Sequence, residues 1–116
     1  MHPDLARLEH LDELNRLLAE SESRPVLLFK HSYTCGISME ALDELIAHLN
    51  DGPTDAQYAM VTVQTHRAVS NAVAKQFGVR HETPQALLIR NRRVVWSASH
   101  FRVTAEAVED ALRTQG

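Results

Sequence analysis

The chain has 116 residues, 44% hydrophobic and 23% charged, with a formal net charge of −3. That length suits one domain, residues 1–116, able to bury a core without metal or disulfide staples. The acidic balance speaks against a nucleic-acid partner. The longest apolar run, Val26 to Phe29, is too short to cross a bilayer, and the opening Met1-His2-Pro3-Asp4 lacks the basic and apolar regions of a secretory signal. A cytoplasmic protein with no membrane partner is expected.

In chain order, Leu11, Leu14, Leu17 and Leu18 recur at helical spacing and predict an amphipathic helix over about 10–20. Before it, Leu5 and Leu8 fit either an extension of that helix or a short edge element. Ser21, Ser23 and Pro25 break the helix. Val26-Leu27-Leu28-Phe29 then reads as a strand covered on both faces. A second helix is expected from about Cys35 to Asn50, lined by Ala41, Leu42, Leu45, Ile46 and Leu49 and ended by Asp51-Gly52-Pro53. Tyr58 to Val63 is a further strand. Arg67 to Phe77 is a helix closed by Gly78. Ala86 to Ile89 and Val94 to Ser97 form a hairpin around Arg90-Asn91-Arg92-Arg93, whose charges belong to a solvated turn. Thr104 is the expected N-cap of a last helix that buries Val108 and Leu112.

Strand–helix–strand units require right-handed crossovers and parallel pairing, and the hairpin adds antiparallel strands. The expected architecture is α/β and thioredoxin-like: a four-stranded mixed sheet with helices on both faces.

Chemistry is expected at Cys35, the only cysteine, which excludes an internal disulfide and fits a reducing compartment. It stands between a strand and the helix that follows, where reactive groups gather in open α/β sheets. As an N-cap its sulfur would accept from the amides of Ile37 and Ser38, and the helix dipole favours the thiolate, the reactive form. Lys30 and His31 are candidates to add positive potential. Ser38 occupies the second position of a Cys-x-x-Cys spacing; its hydroxyl can reach a thiolate one turn away but cannot resolve a mixed disulfide. Pro84 is allowed at the start of a buried strand as its first residue. A cis bond there would turn the backbone of Thr83 toward the thiol for a substrate chain to pair with. By topology His100 and the start of the last helix lie at the same end, a candidate site for a carboxylate-bearing thiol. The remaining histidines, His2, His10, His48, His66 and His81, show no zinc spacing, and no metal is expected.

These segments resemble the thioredoxin superfamily, which has a helix-initial cysteine and a cis-proline loop. More closely, the chain resembles the YtxJ family of monothiol bacilliredoxin-like proteins. The resemblance rests on Leu28-Phe29-Lys30-His31-Ser32, Thr34-Cys35, Ile37-Ser38, Glu82-Thr83-Pro84-Gln85, and Val95-Trp96 with Ala98-Ser99-His100. It implies a thiol–disulfide oxidoreductase in which Cys35 removes bacillithiol, or a similar low-molecular-weight thiol, from S-thiolated proteins. That thiol is a co-substrate, and no bound cofactor is implied. Lys30, His31, Ser38, Thr83, Pro84 and His100 are the accompanying substrate-side candidates. Gly36 departs from the proline expected after the family cysteine and makes the site look like the Cys-Gly-Phe-Ser of monothiol glutaredoxins. Two other readings stay open: an iron–sulfur module held by two copies of Cys35 and two small thiols, and a non-redox interaction domain with Cys35 inert.

Overall fold

The computed structural model describes residues 2–116. Its elements are β1 (Leu5–Arg7), α1 (Leu11–Glu20), β2 (Val26–His31), α2 (Gly36–Asn50), β3 (Gln57–Thr62), α3 (Arg67–Phe77), β4 (Gln85–Arg90), β5 (Arg93–Ser99), a 3-10 turn (His100–Arg102) and α4 (Ala105–Gln115). The sheet has five strands, not the expected four, in the order β1-β3-β2-β4-β5. The addition is β1, parallel to β3 through Leu5↔Tyr58, Ala6↔Ala59 and Arg7↔Met60. A three-residue strand that buries only Leu5 offers no alternation to read, which is why the sequence left this segment open.

β2 is central, parallel to β3 and antiparallel to β4. All six of its residues are buried, as both covered faces require. Leu27 and Phe29 face α2 and α4, where they join Leu42, Leu45 and Val108. Val26 and Leu28 face α1 and α3 with Leu14, Leu17, Val69 and Val73. Because side chains alternate along a strand, Lys30 falls on the α1/α3 side and His31 on the α2/α4 side.

Helix ends follow local chemistry. Thr104 Oγ1 accepts from the Ala107 amide and opens α4. Gly78, at φ +62°, closes α3 in the left-handed conformation that glycine adopts without a Cβ penalty. The β4–β5 turn places Asn91 and Arg92 at φ +52° and +68°, the geometry of a two-residue hairpin connection. Its basic residues do more than face solvent. The Ser21 carbonyl, just past α1, accepts from the Asn91 amide and from Arg90, both at 2.8 Å; Ser21 Oγ accepts from the Arg92 amide at 2.9 Å; and Arg92 donates to Glu22 at 2.8 Å.

Candidate active site

Cys35 is the N-cap residue of α2, extended at φ −111°, ψ 122°, and half-buried. Its amide donates to the Ser32 carbonyl at 3.4 Å and its carbonyl accepts from Met39 at 3.1 Å, which fixes the backbone where strand gives way to helix. The expected sulfur bond to the Ile37 and Ser38 amides is not formed: the side chain makes no cap hydrogen bond. Sulfur is a weak acceptor compared with the oxygen of the usual N-cap side chains.

Ser38 is buried and turned away from the thiol. Its Oγ accepts from the Ser32 amide at 2.9 Å and lies 2.9 Å from His31 Nδ1. The reach to the Cys35 sulfur expected from spacing therefore gives way to bracing: a buried hydroxyl takes the partners that satisfy it. Ser38 and His31 tie the end of β2 to the first turn of α2. His31 is buried, stacked 5.9 Å from Phe29, and its burial disfavours the imidazolium and pushes its pKa down. It is not the source of positive potential expected beside Cys35.

Lys30 is corrected further. It is 0% exposed and unavailable to a substrate; its Nζ lies 3.0 Å from His81 Nδ1, and burial lowers its pKa. His66 does not join His81; it approaches Glu9 at 3.6 Å. Among the described residues no group of three metal-ligating side chains converges.

The Thr83–Pro84 peptide bond is cis. Gln85, directly after it, pairs with Lys30, so this segment lies beside the end of β2 from which the Cys35 loop departs. The Pro84 carbonyl accepts from the His100 amide at 2.9 Å, while the N–H and C=O of Thr83 have no partner among the described residues. That bond holds His100 at φ +55°, uncommon for a non-glycine residue. His100 thus stands at the expected end of the molecule. The groove it lines, of about 370 Å³, also holds Glu40, Asp43 and Glu44, and Phe101 beside it is 70% exposed. At the start of α4, the Ala105 and Ala107 amides are engaged by Glu44 and Thr104. Carboxylates in the groove and occupied amides make this a poor seat for the carboxylate-bearing thiol expected there.

One bracing residue carried no sequence signal. Gln64, two residues past β3, donates to Ser32 Oγ at 2.5 Å and Thr34 Oγ1 at 3.1 Å and accepts from the Tyr33 amide at 3.4 Å. It holds the loop that presents Cys35.

With this geometry in place, comparison with known proteins decides the family. The profile described as Monothiol bacilliredoxin BrxC matches residues 6–108. The chain belongs to that family. A solved structure described as a candidate oxidoreductase with a thioredoxin fold is 30% identical, over 93% of each chain, with a TM-score of 0.83. The thioredoxin of Fasciola hepatica superposes with a TM-score of 0.78 at 14% identity, over 97% of this chain and 100% of its own. That of Trypanosoma brucei brucei gives 0.75 at 10%, over 97% and 95%. The last two establish the fold alone. Family and fold together support a thiol oxidoreductase role for this bacilliredoxin. No helix among the described residues is long and apolar enough to cross a membrane.

Gly36, where the sequence departs from the expected proline, has no steric reason to be glycine: a Cβ there meets nothing within 4 Å. It is the first residue of α2, where a proline ring is tolerated, and Cys35 already has the extended backbone that a following proline demands. Gly36→Pro is expected to raise stability by about 0.5–1 kcal/mol through the unfolded chain. A urea melt with an unchanged or lower midpoint at equal slope would contradict this.

Proposed function

We propose that this bacilliredoxin is a monothiol oxidoreductase that takes bacillithiol, or a closely similar small thiol, off protein mixed disulfides through Cys35. The observation that carries the reading is the placement of the chain's only cysteine at the N-cap of α2, half-exposed, within a chain of this family. In the first step the Cys35 thiolate attacks the small-thiol sulfur. A new S–S bond forms on Cys35, the old one breaks, and the target cysteine leaves as a thiolate that takes a proton from water. In the second step another small thiol, as its thiolate, attacks the adduct. It leaves as the symmetric disulfide, and Cys35 is released. Rates follow thiolate fraction and access at each sulfur.

The roles of the neighbours follow from what they touch. Thr83 offers an unpaired N–H and C=O to a substrate backbone, an edge-pairing mode that reads no sequence. Ser38, His31 and Gln64 keep the Cys35 loop in place. With Ser38 hydrogen-bonded inward and no second cysteine, release depends on an external thiol.

The test is a model protein carrying one bacillithiol mixed disulfide, mixed with the bacilliredoxin and followed by intact mass. Without free thiol, one adduct per chain should appear on Cys35 and turnover should stop. Added bacillithiol should restart it. Failure of the adduct to appear on this chain, or repeated turnover without external thiol, would overturn the reading.

A further inference from the structure

Lys30 is the one fully buried lysine of a strand otherwise filled with apolar side chains and closed by His31. No carboxylate is paired with it among the described residues; its one hydrogen-bond partner is His81, 51 residues away and itself exposed. A buried ammonium without a counter-ion is costly, and a linear apolar side chain would fill the same space at no such cost. What the amine reaches is therefore informative.

His81 stands two residues before Thr83, on the loop between α3 and β4. That loop is tied down at three points. Lys30 holds His81 at 3.0 Å, Gln85 Nε2 donates to the Arg80 carbonyl at 3.0 Å, and the His100 amide donates to the Pro84 carbonyl at 2.9 Å. Lys30 and Gln85 are register partners on β2 and β4, so both point from the same face of the sheet, toward α1 and α3. The buried Oε1 of Gln85 has no hydrogen-bond partner among the described residues. Two anchors thus rise from central strands into the Arg80–Pro84 segment, where the N–H and C=O of Thr83, like those of His81 and Glu82, have no partner among the described residues.

We propose that Lys30 and His81 are a positioning pair for the substrate-pairing segment. The amine, set on the most buried strand, fixes the height and orientation of the Thr83 backbone through His81 Nδ1, without touching Cys35 or the substrate. The inference rests on the exchange function proposed above and adds residues on the opposite face of the sheet to it. Reactions that need only the sulfur should ignore the pair; reactions in which a polypeptide must lie along Thr83 should depend on it. Misplacement by about 1 Å in such a site costs up to about a hundredfold in rate.

The experiment compares two reactions of Cys35 in wild type, Lys30→Met, His81→Ala, the double variant and His81→Asn. One is alkylation by iodoacetamide, which needs no backbone pairing. The other is removal of bacillithiol from a modified model protein, followed by mass spectrometry. Lys30→Met and His81→Ala should each slow adduct removal about tenfold while alkylation stays within about twofold. The double variant should be no slower than either single one, because both remove the same contact. His81→Asn, whose side-chain oxygen can stand near the Nδ1 position, should recover most of the rate. Adduct removal at the wild-type rate in folded Lys30→Met overturns the proposal. So do additive single effects, or an equal fall in alkylation, which would mark a general loss of structure. If wild type itself takes no adduct, the exchange function fails, and the positioning role falls with it.

Discussion

Serine in place of Cys35 is expected to lower adduct transfer by about a thousandfold or more and, in the same protein, to raise stability by about 0.5–1 kcal/mol. The loss follows from ionisation. A thiol is partly thiolate near neutral pH, whereas an aliphatic hydroxyl is not, and no side chain near residue 35 is arranged to take its proton: His31 Nδ1 is engaged by Ser38. The gain follows from the helix end. Cys35 already has N-cap backbone angles and makes no cap bond, while serine is among the strongest N-caps, its oxygen accepting from the second or third amide of the helix. The side chain is half-exposed, so no cavity offsets the gain. Transfer kinetics and a urea melt on one preparation check both halves. A variant that loses activity and stability together would show that Cys35 is a packing residue, in favour of an inert interaction domain.

Lys30→Met is expected to stabilise the fold at neutral pH by about 1–3 kcal/mol, the cost of holding a polar group out of water with incomplete compensation. Burial depresses the Lys30 pKa below its ordinary value of 10.5. Between the folded and the unfolded value the unfolded chain holds more protons, so wild-type stability rises with pH across that window. The stability that Lys30 contributes is fully present only above the unfolded value and is lost as pH falls through the folded one. The difference between wild type and variant should therefore be largest near neutrality and shrink toward pH 10. Tyr58, whose pKa is raised by burial, acts the other way: its contribution is lost as pH rises above its ordinary value of 10, which sets the upper edge of a clean comparison. Denaturant midpoints of both proteins across this range check the trend. Parallel curves would mean that Lys30 is hydrated in the folded state.

Most of the fold was readable because its elements carry strong local marks. α3 runs over the expected Arg67–Phe77 and stops at Gly78; Thr104 caps α4; Asn91 and Arg92 turn the hairpin. β1 was not, since three residues with one inward side chain have no period. At the site, position along the chain was legible and side-chain direction was not. Cys35 and Pro84 fall where βα topology puts them. Ser38 points at His31 because helical rotation carries it under the loop, and only the packed structure shows which neighbour claims its hydroxyl. From the sequence, Lys30 is a candidate to add positive potential beside the thiol. The strand alternation that buries it was present in Val26 to His31, but a lysine in an apolar run is read by its charge before its parity. Gln64 and His81 act through contacts with residues 32 and 51 positions away, a separation invisible to any local pattern.

The Ser21 junction has a kinetic side. Its bonds to Arg90, Asn91 and Arg92 join the first quarter of the chain to the last hairpin across about seventy residues. Loop closure on that scale is offset best once β2, β3 and β4 have assembled, so the junction is expected to form late on folding and to open early on unfolding. Contacts absent from the transition state act on the rate of leaving the native state, not on the rate of reaching it. A serine and three turn residues, remote from the thiol, are thereby expected to set how long the β4–β5 hairpin stays closed against the end of α1.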